Sequence, residues 1–130
     1  MWLALGSNLG DRAGFLEAAR AALPEAGITV VRASRVDETE PVGIREQPHF
    51  LNQVLEVETS LEPRSLLDTL KGIEGQLGRT ARQRWGPREI DIDILRYEGR
   101  VVDEPGLHIP HAELQNRAFL LDLLKDIDAP

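Results

Sequence analysis

The chain has 130 residues, of which 42% are hydrophobic and 28% charged, and its formal net charge at pH 7 is −7. This length and mix are typical of one domain, residues 1–130, with a buried core, and the absence of cysteine excludes disulfides and thiolate metal sites. The net charge argues against a general nucleic-acid binder, and no apolar run or basic amino-terminal region indicates membrane insertion. We therefore expect a cytoplasmic monomer without nucleic-acid or membrane partners.

Hydrophobic periodicity predicts an alternation of strands and helices. Strands are predicted at residues 3–5, 28–33, 50–59 and 90–97, and helices at residues 11–23, 63–77 and 117–124. Asn8 is the expected cap of the first helix, and Gly78 is the expected stop of the second. The order strand, helix, strand, strand, helix, strand is that of a ferredoxin-like α+β fold, βαββαβ, with an antiparallel sheet and helices on one face.

Three connections between these elements carry glycine, proline or polar residues. Residues 38–49 and 79–89 are each longer than a compact fold needs, a length typical of binding loops or, alternatively, of a disordered insertion. Residues 6–10, Gly-Ser-Asn-Leu-Gly, lack the Lys-Ser or Lys-Thr that follows a phosphate-binding loop. We interpret that turn as structural.

Residues 79–95 combine basic and acidic side chains. Four arginines come first: Arg79, Arg82, Arg84 and Arg88. Because side chains alternate along a strand, Asp91 and Asp93 share one face while the intervening isoleucines enter the core. Two neighbouring carboxylates repel each other unless a cation lies between them; magnesium is the natural occupant, and arginines suit the phosphates that accompany it. The segment predicts a nucleotide-phosphate site, and the solvated face of a strand is the alternative.

Five motifs, at residues 4–10, 39–43, 47–52, 84–93 and 109–119, resemble those of the 6-hydroxymethyl-7,8-dihydropterin pyrophosphokinase family. The resemblance covers nearly the whole chain. It implies the ferredoxin-like fold, two magnesium ions, and transfer of diphosphate from ATP to the pterin hydroxymethyl group with release of AMP, in folate biosynthesis. The implied partners are ATP and the pterin.

The resemblance also implies a role for individual residues. Asp91 and Asp93 match the magnesium-binding carboxylates, and with Arg79 and Arg88 they form the implied catalytic set. The residues matched to ATP binding are Glu74, Arg79, Arg84, Trp85, Arg88, Ile94, His111 and Arg117. The residues matched to pterin binding are Thr39, Pro41, Val42, Gly43, Phe50, Asn52 and Phe119. A solvated helix face for Glu74, and core packing for Phe50 and Phe119, are the alternatives.

Other readings of the sequence stay open. The proton of the attacking hydroxyl could pass to Asp93, or a metal could lower its pKa so that no base is needed. His49 and His108 show no metal-ligand spacing and receive no role. A ferredoxin-like domain can also be a regulatory ligand-binding module or an RNA-binding sheet, although an aromatic content of 5% argues against the latter.

Overall fold

The computed structural model describes residues 1–39, 49–78 and 89–129. Within these ranges the main sheet contains β1 (Trp2–Ser7), β2 (Thr29–Ala33), β3 (Asp37–Thr39), β4 (Phe50–Glu58) and β5 (Asp91–Arg96). A separate hairpin contains β6 (Val102–Glu104) and β7 (Leu107–Ile109). The helices are α1 (Arg12–Glu25), α2 (Pro63–Gln76) and α3 (Ala118–Asp126), and a 3-10 turn at Leu114–Asn116 precedes α3. No helix in the described ranges has the length and apolar character needed to cross a bilayer.

The strand order β2-β4-β1-β5, with every neighbouring pair antiparallel, is that of the ferredoxin-like fold. The predicted fold class is therefore confirmed. Strand β1 lies in the centre, between β4 and β5. Strand β3, which sequence patterning did not predict, pairs with the first residues of β4 on the same edge as β2.

The alternation of side chains along β1 separates two apolar layers. Leu3 and Leu5 face α1 and α2, whose leucines complete the larger cluster. Trp2 and Ala4 face the opposite side, where they pack in a second cluster with leucines of α3. The predicted placement of helices on one face holds for α1 and α2, whereas α3 covers the other face because its apolar side chains pack in the Trp2 cluster.

Side-chain capping decides where α1 begins. Asp11, and not Asn8, is the cap, because the Asp11 carboxylate accepts the backbone N–H of Gly14 at 3.0 Å. A Cβ at Gly14 would lie 2.3 Å from this carboxylate, so a larger residue there would force the Asp11 side chain to move. The predicted cap at Asn8 was wrong, since α1 begins at Arg12 and Asp11 is the residue that caps it. The predicted stop of α2 is confirmed at Gly78, whose φ of +96° suits glycine.

Candidate active site

Three neighbouring strands bring predicted site residues into one row on the face that α3 also covers. Asn52 on β4 and Asp91 on β5 both pair with Gly6 on β1. Because adjacent strands lie about 4.8 Å apart, Asn52 and Asp91 are separated by roughly 10 Å. In the next row along, Ala4 pairs with Asp93. The amide expected at a pterin and the carboxylates expected at a metal therefore flank two small residues.

Gly6 places no side chain between Asn52 and Asp91. A Cβ on Gly6 would lie 3.4 Å from Asn52 Oδ1 and 3.5 Å from Cδ1 of the Phe50 ring. The φ of Gly6 is not among the positive values in the described chain, so backbone conformation does not explain the glycine. The sequence of residues 6–10 does not show that Gly6 lies between Asn52 and Asp91, because that placement depends on the strand order.

Three of the residues matched to pterin binding form a contiguous group on β3 and β4. Asn52 is 7% exposed, and its Nδ2 donates a hydrogen bond to Thr39 Oγ1 at 2.6 Å. Asn52 Oδ1 and the Phe50 ring border the space above Gly6. The half-buried Phe119 packs against the cluster around α3 on the same side of the sheet. Pro41, Val42 and Gly43 lie outside the described residues.

The two carboxylates of β5 share one face, as predicted, while Ile92 and Ile94 are buried in the core. Burial and the adjacent negative charge of Asp91 raise the pKa of Asp93 to about 7. The charge of Glu74 contributes in the same direction. Because the Asp93 side chain is 39% exposed, solvent screens part of this repulsion. Within the described ranges no group of three or more His, Asp or Glu side chains is placed to hold a metal ion.

His111 and Arg117 lie beside Asp93. His111 Nδ1 accepts the backbone N–H of Glu113 at 3.1 Å, and its Nε2 lies 4.0 Å from Asp93 Oδ2. Burial, followed by the positive charge of Arg117, lowers the pKa of His111. Because Nδ1 accepts a hydrogen bond, the neutral form of His111 carries its proton on Nε2, the nitrogen that faces Asp93. The positive charge of Arg117 also offsets a small part of the rise in the pKa of Asp93.

A cavity of about 140 Å³ lies between α2, β5 and β7. Its wall contains three of the predicted residues, Asp93, Ile94 and His111. Lys71 and His108 also line it, although neither was predicted as a site residue. No sequence signal identifies His108, whose position depends on the β6–β7 hairpin.

The remaining predicted residues divide into one that is buried and several that are not described. Glu74 is 2% exposed, so the solvated-face alternative is wrong for it. Its Oε2 accepts the backbone N–H of Ile92 at 2.7 Å, and its Oε1 lies 3.4 Å from Lys71 Nζ. The arginines and tryptophan of the second long connection lie outside the described residues: Arg79, Arg84, Trp85 and Arg88.

The raised pKa of Asp93 predicts how the free energy of unfolding depends on pH. A folded-state pKa of about 7, above the ordinary value of 3.8, means that the folded chain holds this proton more tightly than the unfolded chain. The contribution is fully present below the unfolded pKa and is lost as pH rises from about 4 to about 7. Without divalent cations, the Tm of wild type should therefore fall relative to that of Asp93→Asn across this range. Parallel Tm curves would contradict the prediction, and Asp122→Asn, an exposed carboxylate on α3, is the control.

The fold and the site together define a class of protein. A pair of carboxylates on one strand, one of them lining a cavity together with a histidine, is typical of enzymes that act on phosphate groups.

Comparison with known proteins identifies the family. The model of the 7,8-dihydro-6-hydroxymethylpterin-pyrophosphokinase family matches residues 2–129, and the chain belongs to this family. It is 43% identical over 127 residues to the 2-amino-4-hydroxy-6-hydroxymethyldihydropteridine pyrophosphokinase of Bacillus subtilis (strain 168), covering 97% of this chain and 76% of that relative. It is 45% identical over 129 residues to the Methylorubrum extorquens protein of the same name, covering 97% and 80%. A folate synthesis bifunctional protein of Arabidopsis thaliana is 41% identical over 126 residues, covering 96% of this chain and 26% of that relative. The predicted family is confirmed.

Proposed function

We propose that this chain transfers diphosphate from ATP to the hydroxymethyl group of 6-hydroxymethyl-7,8-dihydropterin and releases AMP, in folate biosynthesis. The observation that carries the proposal is the row formed by Asn52, Gly6 and Asp91. Its span of roughly 10 Å is comparable with two fused rings and a hydroxymethyl arm. A pterin whose ring edge meets Asn52 therefore extends its hydroxyl toward the carboxylates of β5.

The pterin end of the site combines an amide with aromatic rings. Asn52 is held by Thr39, so its orientation is set before a ligand arrives. We propose that Phe50 and Phe119 supply stacking surface for the flat ring, since both are half-buried and lie on the same side of the sheet as Asn52. By family resemblance, Pro41, Val42 and Gly43 complete this pocket.

We propose Asp91 and Asp93 as the ligands of two magnesium ions. The donor set fits, because burial and repulsion by Asp91 raise the pKa of Asp93, and a divalent cation relieves the repulsion. Two carboxylates leave most coordination positions to phosphate oxygens and water, as magnesium prefers. When bound, magnesium neutralises charge that develops on the phosphate oxygens.

Positioning accounts for most of the proposed chemistry. The hydroxymethyl oxygen attacks the β-phosphorus in line and gives up its proton, which is released to water; the bond from the β-phosphorus to the α,β-bridging oxygen breaks, and AMP leaves with that oxygen. His111 presents a neutral Nε2–H, and Arg117 a permanent positive charge, on the side of Asp93 where we place the phosphates. By family resemblance, Arg79, Arg84, Trp85 and Arg88 add further ATP contacts, with Arg79 and Arg88 catalytic.

The cavity beside Asp93 is the proposed nucleoside side of the site. Ile94 gives it an apolar wall, and Lys71 and His108 give it polar groups. His108 Nδ1 lies 2.8 Å from Asp103 Oδ1, which fixes the direction of its ring. The cavity adjoins the carboxylates through Asp93, so a nucleoside there would direct its phosphates toward them.

Further properties of the chain are also proposals. Residues 1–130 act as one pterin pyrophosphokinase domain, as a monomer located in the cytoplasm. No nucleic-acid or membrane partner is proposed, and the net charge of −7 supports this for nucleic acid.

Nucleotide product analysis tests the proposed function. The protein is mixed with magnesium, ATP and 6-hydroxymethyl-7,8-dihydropterin, and a control omits the pterin. AMP that forms only with the pterin is the expected result. ADP would indicate ordinary phosphoryl transfer, and the absence of any nucleotide product would favour a ligand-binding module; either result overturns the proposal.

A further inference from the structure

Glu74 is a buried carboxylate of α2 that contacts the backbone between the two carboxylates of β5. Its side chain is 3% exposed, and its Oε2 accepts the N–H of Ile92 at 2.7 Å. We propose that Glu74 is a positioning residue, which holds β5 so that Asp91 and Asp93 face the site. This inference rests on the proposed function and goes beyond the role in ATP binding that the resemblance implies for Glu74.

The position of β5 in the sheet explains why such a contact is needed. In the described part of the chain, β5 is the last strand on one side of the main sheet and pairs there with β1 alone. Ile92 lies opposite Leu5, yet its N–H is donated to Glu74 on α2. Without that acceptor, a buried N–H would lack a partner at the residue between the two carboxylates.

Small movements of β5 would change the direction of the Asp91 and Asp93 side chains. Side chains alternate along a strand, so a twist or slip at Ile92 turns Asp91 and Asp93 together. The Ile92 N–H needs an oxygen acceptor at hydrogen-bond distance, and Glu74 Oε2 provides one at 2.7 Å. The length of the Glu74 side chain, which brings this oxygen to the backbone, is therefore the property that matters for positioning.

The surroundings of Glu74 separate positioning from nucleotide contact. One carboxylate oxygen is bonded to Ile92, and the other lies 3.4 Å from Lys71 Nζ. The cavity wall within the described residues includes Lys71 but not Glu74. Lys71 therefore faces the cavity proposed for the nucleoside, while the Glu74 side chain is directed toward the backbone of β5.

Two substitutions at Glu74 separate the effect of side-chain length from the effect of charge. Glu74→Gln keeps the length of the side chain and an oxygen acceptor but removes the charge. Glu74→Asp keeps the charge but shortens the side chain by one methylene, which withdraws the acceptor from Ile92. Asp68→Asn, an exposed carboxylate on the same helix, is the control variant.

Amide hydrogen exchange in the nucleotide-free protein gives a readout that does not depend on activity. Glu74→Asp should accelerate exchange at Ile92 at least about tenfold, while the Val54 amide, bonded to Ser34 Oγ, keeps its rate. Glu74→Gln and Asp68→Asn should leave Ile92 within about threefold of wild type.

Kinetics provide the second readout. Glu74→Asp should lower kcat roughly 100-fold while the KM for ATP stays within about threefold, and Glu74→Gln should retain most of kcat. A raised KM for ATP with unchanged Ile92 exchange would overturn the inference in favour of a nucleotide contact. A larger loss of kcat in Glu74→Gln than in Glu74→Asp would overturn it as well. If wild type forms no AMP, the proposed function fails, but the exchange measurement still decides whether Glu74 holds β5.

Discussion

Asp93→Asn is expected to lower kcat for AMP formation by roughly 1,000-fold, the effect of losing several kcal/mol of charge stabilisation in the transition state. Asparagine keeps the shape of the side chain but removes one of the two negative charges that we propose hold magnesium. The fold should survive, because the Asp93 side chain is 39% exposed and the change relieves repulsion by Asp91. The measurement is kcat at saturating magnesium, ATP and pterin.

The Asp93 variant is informative because stability and activity should move in opposite directions. Above pH 7 and without divalent cations, Asp93→Asn should unfold at a higher temperature than wild type, whereas at saturating magnesium it should form AMP roughly 1,000-fold more slowly. Asp122→Asn on α3 controls for the loss of a carboxylate elsewhere. Near-normal kcat of Asp93→Asn at saturating magnesium would exclude its role in binding the cation.

Gly6→Val is expected to raise the KM for the pterin about 100-fold, which corresponds to the upper range of overpacking costs in a filled site. Even a Cβ at residue 6 would lie 3.4 Å from Asn52 Oδ1 and 3.5 Å from the Phe50 ring, so valine methyl groups must enter the space beyond. Gly6→Ala should have a smaller effect. Initial rates at varied pterin and saturating ATP give the KM.

Ser7 offers a matched control for Gly6→Val on the same strand. Ser7 follows Gly6, so its side chain points to the opposite face of the sheet. It is completely buried, and its hydroxyl has no hydrogen-bond partner among the described residues. Ser7→Ala should therefore leave both stability and the KM for the pterin nearly unchanged. An unchanged pterin KM in Gly6→Val would show that the space above Gly6 is not the pterin pocket.

The fold was largely predictable because its elements carry strong local signals. The leucine stripe of α2 between Pro63 and Gly78 predicts both its buried face and its ends. Alternation in β4 and β5 predicts which residues face the core. Strand β3 lacks such a signal, because Asp37, Glu38 and Thr39 show no apolar alternation and are ordered by pairing with β4.

The candidate site was less predictable from residue patterns alone. The shared face of Asp91 and Asp93 follows from alternation, but the roles of Asn52, Phe119 and His111 came from family resemblance. The position of Gly6 between Asn52 and Asp91 is known only from the strand order, which places β1 between β4 and β5. In the sequence, Glu74 lies at the edge of the apolar stripe of α2. No local pattern predicts that it is buried and accepts the backbone N–H of Ile92 on β5.

If one pterin spans from Asn52 to the cation side of the site, its hydroxymethyl group lies nearer the cation than Asn52 does. Paramagnetic relaxation by Mn²⁺, used in place of magnesium with an ATP analogue bridged by methylene between its α- and β-phosphates, tests this directly. The hydroxymethyl protons of the bound pterin should relax faster than the side-chain amide protons of Asn52, and Asp93→Asn should abolish the difference. Faster relaxation of the Asn52 amide than of the hydroxymethyl group would show that the pterin does not lie in this orientation.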